Sequence, residues 1–482
     1  MICLVACAPA SGHTSALSID QGTFFPAGED LRNVSDEALV EDLAHRTFNF
    51  FWETANPENG LVPDRWPTPS FSSIAAVGFA LAAYPIGVER GYVSRESARE
   101  RVLATLRFFK NAPQGEAASG MAGYKGFFYH FLGMKTGARF SADVELSTID
   151  TTLLLGGVLF CASYFDGDDP QEEEIRSLAE ALYAQVDWEW ALAERRTVSM
   201  GWKPESGFIK ADWVGYDEAM LLYILAIGSP THPLPPAAWD EWAKGYADNW
   251  GDADGEPRIM FPPLFGHQYS HAFVDFRGIA DRFMREKGFD YFENSRRAVY
   301  AQRNYAIRNP HRWRGYDENV WGLTASDGPI DAKLDYRGEK RDFHTYAARG
   351  HEGKPDHGQF MKGYDDGTIA PTAAAASIAF APEIAIPAIR AMRTRYGREI
   401  YGDYGFFDAF NPSFDFEVAP KLGRRAEGVG WRDTDYLGID QGPILIMIEN
   451  HQNGLVWKVM RRNPHIREGL KRAGFSGGWL DE

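Results

Sequence analysis

The chain has 482 residues, 44% of them hydrophobic and 24% charged, so it can bury a sizeable core. A formal net charge of −17 argues against nucleic acid as a partner, and no run of 18 apolar residues signals a membrane span. Length alone suggests about three domains, but no linker, composition break or short repeat divides the sequence, so one domain over 35–482 is expected.

Residues 1–34 read as a leader and tether. Leu4-Val5-Ala6-Cys7 has the form of a bacterial lipoprotein cleavage box, and Ala8–Gly22 is mostly small and polar. Only six residues precede Cys7 and none is basic, which a start further upstream would explain. The expectation is a lipid on Cys7 tethering a periplasmic or outer-membrane protein, rather than a cytoplasmic address. Cys161 lies in the apolar run Leu153–Tyr164 and reads as a buried thiol, so the three cysteines give no disulfide framework.

Helical periodicity then runs along the chain. Asp36–Thr54 is amphipathic with Ser35 as cap, and Ser72–Tyr84 is small and apolar. Ser94–Asn111 exposes Arg and Glu, while Ser147–Phe165 is apolar on all sides. Gln171–Trp190 follows, then the apolar Asp217–Ile227 and the short Pro236–Tyr246. Ser270–Lys287 and Tyr291–Arg308 form a pair, and Asp317–Thr324 competes with Thr368–Phe380 for the next buried place. Pro382–Tyr396 is amphipathic, Asp440–Asn450 apolar, and Leu455–Ala473 basic. Lys333–Arg341 alternates and predicts a small hairpin.

Amphipathic and apolar helices thus alternate about six times. That pattern predicts an all-α fold: a double ring of helices whose inner members share one rim at their N-termini. The long loops Asn111–Glu145, Asp187–Tyr216 and Asp248–His267 precede inner helices and should cover that rim.

Acidic residues cluster where those helices begin. Gly215-Tyr216-Asp217-Glu218 precedes an apolar run, and Gly315-Tyr316-Asp317-Glu318 repeats the letters. Glu145 and Asp150 bracket another start, and Asp435 and Asp440 a third. Carboxylates and aromatic rings gathered at one rim suit glycosidic bond cleavage, which uses a pair of carboxyl groups. A first-turn glutamate or aspartate favoured by the helix dipole, and a cap at Ser147-Thr148-Ile149-Asp150, explain the same letters without chemistry. His267 and His271 stand four apart, but zinc wants a third ligand that is not evident, so hydrogen bonding to sugar or protein is expected. No metal or cofactor is expected. Asp166-Gly167-Asp168-Asp169-Pro170 lacks the length of a calcium loop and reads as a turn.

Longer motifs carry a resemblance. Tyr124–Phe131, Glu145–Thr151, Gly201–Pro204, Gly215–Met220, Gly266–His271, Tyr291–Arg296, Trp321–Pro329 and Tyr436–Pro443 resemble the glucoamylase-like domain of bacterial proteins over about Asp36 to Leu480. The resemblance implies an (α/α)6 barrel. It also implies a glycoside hydrolase similar to family 144, inverting and acting on β-1,2-glucan in an endo mode or releasing short oligosaccharides. A transglycosylase on the same glucan and a glucoamylase-type α-glucan hydrolase are the alternatives. Carried onto this chain, it makes Glu218 the expected acid and Asp440 the opposing carboxylate, with Asp143, Glu145, Asp150 and Glu318 as further acidic candidates. The expected substrate-binding residues are Tyr129, His130, Trp202, Tyr216, His267, Tyr269, His271, Trp321 and Tyr436. The segment His351–Gly363 departs from the family pattern and is expected to reshape one rim.

Overall fold

A computed structural model describes residues 31–351 and 363–482. The leader with Cys7, and nearly all of the segment His351–Gly363, lie outside the described residues. The fold is helix-rich. In chain order the helices are α1 (Asp36–Thr54), α2 (Ile74–Glu89), α3 (Arg95–Asn111), α4 (Thr148–Tyr164), α5 (Pro170–Ala184), α6 (Met220–Gly228), α7 (Ala237–Trp242), α8 (Tyr246–Asn249), α9 (Phe265–Phe273), α10 (Arg282–Lys287), α11 (Tyr291–Arg308), α12 (Pro371–Ala375), α13 (Pro382–Tyr396), α14 (Gly438–Gln452), α15 (Leu455–Met460) and α16 (Pro464–Arg472). Among the described residues no helix is long and apolar enough to cross a membrane.

The two helix classes read from the sequence separate by burial. All nine residues of α6 are buried, as are nearly all of α2, α4 and α14. By contrast α3, α5, α11 and α13 bury one face, while α1 is exposed along its first turn and outer positions but buried on all sides over Asp42–Phe51. The buried helices touch in succession: α2 packs on α4, α4 on α6, α6 on α9, α9 and α12 on α14, and α14 back on α2. The Gln268 amide of α9 also donates to the Ala373 carbonyl of α12 at 3.0 Å. The α2–α4 contact runs backbone to backbone. A Cβ on Gly157 would stand 2.0 Å from the Gly78 carbonyl oxygen, so only glycine permits this approach.

Capping sets where several helices begin. Ser35 accepts from the Ala38 N–H and Ser94 from the Ser97 N–H, each expected to stabilise by about 1 kcal/mol over alanine. At α4, Ser147 Oγ accepts from the Asp150 N–H at 3.1 Å and donates to Asp150 Oδ2 at 2.5 Å, a reciprocal cap.

Three predicted helices are corrected. Ser270–Lys287 is two helices, because Asp275 turns the chain by binding Arg277 and Asp281 caps α10 through the Met284 N–H. Leu455–Ala473 breaks at Pro464, which takes the first turn of α16 with Asn463 capping His465 and Ile466. Asp317–Thr324 is not helical: the Asp317 N–H returns to the Val320 carbonyl at 3.1 Å in a tight turn, and α12 takes the buried place. The expected hairpin forms between Ala332–Tyr336 and Glu339–Phe343.

The long loops are built of short antiparallel strands. Gly123–Tyr124, Phe127–Tyr129, Leu146–Ser147, Gly201–Lys203 and Gly207–Phe208 make one five-stranded sheet in that order. It joins the segment entering α4 to the loop preceding α6. Arg65–Trp66 pairs with Tyr436–Leu437 at the entrance to α14. These strands fix the first turns of the buried helices relative to one another.

Candidate active site

The starts of five buried helices meet at one cavity of ≈ 480 Å³. Ser73 lines it from the entrance to α2, Ser147 and Asp150 from α4, and Glu218 from the turn before α6. Phe265 and Tyr269 come from α9, and Leu437 and Ile439 from α14. The loops contribute Asp64, Arg65, His130 and Glu145. Tyr346 stands at the mouth, 62% exposed, with Phe140 at 54% packed on the lining ring of Phe71.

Glu218 owes its place to the turn that precedes it. Gly215 takes φ +89°, a backbone that favours glycine, and swings Tyr216 inward. The Tyr216 hydroxyl lies 3.1 Å from His267 Nδ1 and 3.3 Å from Ser295 Oγ. Asp217 then turns into the protein, its Oδ1 accepting the Ala219 N–H at 2.9 Å and the Trp242 indole N–H at 3.2 Å. Glu218 is left on the cavity wall, half-buried, with no cation in contact among the described residues. Removal from bulk water pushes its carboxyl well above the usual range, and the charges of Asp217 and Asp150 add to this. The helix dipole would lower it; α6 starts two residues later, and burial dominates.

On the α4 side, His130 bridges two carboxylates. Its Nδ1 lies 2.9 Å from Glu145 Oε1 and its Nε2 3.4 Å from Asp150 Oδ1. Burial disfavours the imidazolium, but Asp150 and Glu145 override it and raise His130 to about 9. Burial alone would raise Glu145; hydrogen bonding and charge from His130 hold it low. Glu145 and Asp150 are therefore answered by a cation, whereas Glu218 is not.

The α14 side is acidic. Arg65 Nη1 binds Asp327 Oδ2 at 2.7 Å and lies 3.7 Å from Asp435 Oδ2, while its Nε lies 3.4 Å from Asp64 Oδ2. Asp440, in the first turn of α14, is buried. Burial raises its carboxyl, reinforced by Asp327 and Asp433, while hydrogen bonding from Asp408 opposes the rise. Burial raises the hydroxyls of Tyr269 and Tyr346, and the charges of Asp440 and Glu218 add to this; Asp440 itself is not among the residues that line the cavity.

The remaining expected site residues fall elsewhere. Of the nine expected substrate contacts, His130 and Tyr269 line the cavity. His267 and His271 are buried behind it; His271 Nε2 lies 3.1 Å from Ser295 Oγ, and burial holds both imidazoles neutral. Tyr129 is buried beneath Arg139, and Trp202 packs on Tyr124 and Trp190. Trp321 is buried, and Tyr436 stacks on Phe407. Asp143 is exposed and offers only its carbonyl, to Lys203 Nζ. Glu318 is exposed on the tight turn at Asp317, away from the cavity. Its turn copies the first one, with Gly315 also at φ +89° and Asp317 Oδ1 accepting the Asn319 N–H, but no buried helix follows.

Asp64, Arg65, Phe71, Asp327, Asp408 and Tyr346 were not expected at the site. Asp64-Arg65 precedes a helix by a whole loop, Asp327 ends a three-residue strand and Asp408 sits between two short strands, so no periodicity marks them.

The fold and its acidic cavity define a class, and sequence comparison places the chain within it. The model of the family described as "Putative glucoamylase" matches residues 210–464, and the chain belongs to that family. A putative glucoamylase structure from Bacteroides uniformis is 30% identical, with a TM-score of 0.77 over 93% of this chain and all of that one. An endo-β-1,2-glucanase from Chitinophaga pinensis, solved with sophorotriose and glucose, is 28% identical, with a TM-score of 0.76 over 92% of this chain and all of that one. An exo β-1,2-glucooligosaccharide sophorohydrolase from Parabacteroides distasonis is 26% identical over 91% of this chain. The chain spans 58% of the length of that curated relative.

Proposed function

We propose that the protein is a glycoside hydrolase that cleaves β-1,2-glucan with Glu218 as general acid. The observation that carries the proposal is the Glu218 carboxyl: it lines the cavity, meets no cation among the described residues, and is raised well above the usual carboxylate range by burial and by the charge of Asp217. A raised carboxyl can deliver its proton to a leaving sugar oxygen at neutral pH. The glucanase and sophorohydrolase relatives support the choice of glucan.

The opposing role goes to Asp440. It is buried in the first turn of α14, next to the cavity-lining Ile439, where its carboxylate can accept the proton of an attacking water. In an inverting enzyme that water stands between base and sugar. His130, with Glu145 and Asp150, presents a charged imidazolium to sugar hydroxyls. Phe140 and Tyr346 offer exposed ring faces at the mouth. For the fold, the succession α2, α4, α6, α9, α12 and α14 supports an (α/α)6 barrel with the cavity at the N-terminal rim of its inner ring.

A polysaccharide panel tests the function. Purified protein should release reducing ends from β-1,2-glucan and leave starch and laminarin intact. Cleavage of starch alone would assign an α-glucan hydrolase. Redistribution of chain lengths without new reducing ends would assign a transglycosylase.

A further inference from the structure

The geometry points to a divalent cation site, of the calcium class, formed by Asp327, Asp408 and Asp433 beside the entrance to α14. Each of the three offers a carboxylate oxygen, and these atoms all lie within 4.8 Å of one another. Calcium binds carboxylate oxygens at about 2.3–2.6 Å, so one ion can span that spacing. The donors are all oxygen, which suits a hard cation and not zinc or copper.

The three come from separate segments held by main-chain bonds. Asp327 ends the strand Ala325–Asp327, Asp408 lies between Gly405–Phe406 and Phe410–Asn411, and Asp433 follows Gly430–Arg432. Asp408 Oδ2 accepts the Asp327 N–H at 2.6 Å, and the Asp433 N–H donates to the Ala409 carbonyl at 2.8 Å. The site is therefore preformed.

An unanswered oxygen supplies the second, independent observation. Asp433 is 2% exposed, yet its Oδ2 meets no hydrogen-bond donor among the described residues. Buried carboxylates are ordinarily paired or metal-bound. Arg65 answers Asp327, but it also faces Asp64 and Asp435. The three carboxylates receive at most one positive charge from Arg65, so at least two negative charges remain for a divalent ion to offset. The rival occupant is protons shared within the cluster, notably between Asp408 and Asp440. A bound ion would cross-link the three loops that carry Asp327, Asp408 and Asp433.

The test uses the full chain, dialysed against chelator and then against calcium chloride at pH 7.5. Metal analysis should find one calcium per chain, and calcium should raise Tm by about 2 °C or more over the chelated protein. Asp433→Asn should weaken calcium binding at least tenfold, while Asp415→Asn, at an exposed carboxylate paired with Arg314, should bind as wild type. No bound calcium and no Tm shift in the wild type would overturn the site in favour of protons. Undiminished binding by Asp433→Asn would place the ion elsewhere and overturn the assignment. Should that variant not fold, wild-type crystals soaked in a lanthanide salt decide: an anomalous peak among the three carboxylates supports the site, and its absence there overturns it.

Discussion

Asp217 and Glu218 are consecutive, yet their carboxyl groups face opposite ways: Asp217 accepts the Trp242 indole N–H at 3.2 Å inside the protein, and Glu218 looks into the cavity. Their proximity raises Glu218, because ionising one disfavours ionising the other. Glu218→Gln keeps the size of the side chain and removes the proton it donates. Turnover on β-1,2-glucan should fall by about 10²–10⁴-fold with the fold intact by circular dichroism. Activity near wild type in this variant would reject Glu218 as the acid.

Asp217→Asn keeps an acceptor for Ala219 and Trp242 but removes a negative charge. Glu218 should then lose its proton at lower pH. The alkaline limb of kcat/KM, which reports deprotonation of the acid, should move to lower pH. Stability gives a second readout. Burial raises Asp217 to about 7, against 3.8 unfolded. The folded state thus holds its proton more tightly, and wild-type stability is lost as pH rises from about 4 to 7. Asp217→Asn should unfold at a higher temperature than wild type at pH 8 and at a similar one at pH 4. A pH-independent difference in Tm would separate Asp217 from this titration.

The His130 bridge predicts a different phenotype on the far wall. Glu145→Gln and Asp150→Asn each remove a charge that holds the imidazolium, and Asp150→Asn also disturbs the Ser147 cap. Both should weaken glucan binding or lower Tm, with less effect on turnover than Asp440→Asn. Asp440→Asn should depress kcat strongly while leaving glucan binding largely intact. An active Asp440→Asn beside an inactive Asp150→Asn would transfer the second acidic role to Asp150.

The sequence made the helix classes legible because burial on all sides leaves runs such as Met220–Ile227 without polar residues. Glu218 was legible for the same reason: an acid before such a run must stand at the end of a buried helix. Local pattern did not separate Glu218 from Glu318, since both follow the same Gly-Tyr-Asp turn and only the following segment differs. Nor did it reveal Asp327, Asp408 and Asp433 as neighbours. Their meeting depends on pairing between distant short strands, and strands of two or three residues leave no alternation to read. His267 and His271 were expected to hydrogen-bond to sugar or to protein, and the spacing did not separate the two. The helix that carries them turns Tyr269 to the cavity and both histidines into the core.

Tyr346 stands at the cavity mouth with most of its ring exposed. Its role, if it stacks on a sugar away from the reacting bond, is uniform binding. Tyr346→Ala should therefore raise KM for β-1,2-glucan several-fold with kcat little changed. A parallel fall in kcat and kcat/KM would instead place the ring in the transition state.

The stereochemical outcome follows from the arrangement of acid and base. An inverting site leaves room for water, with carboxyl groups roughly 6.5–9.5 Å apart, whereas a retaining site brings them to about 5–5.5 Å so that one can attack the sugar. With Glu218 as acid and Asp440 as the base that activates water, the wider arrangement is required. Cleavage of β-1,2-glucan should then give the α-anomer first. Proton NMR in the opening minutes, before mutarotation, reads this directly. A first-formed β-anomer would mean retention through a covalent glycosyl-enzyme. That intermediate can be intercepted by another sugar hydroxyl, so the same result would shift the assignment from hydrolase towards transglycosylase.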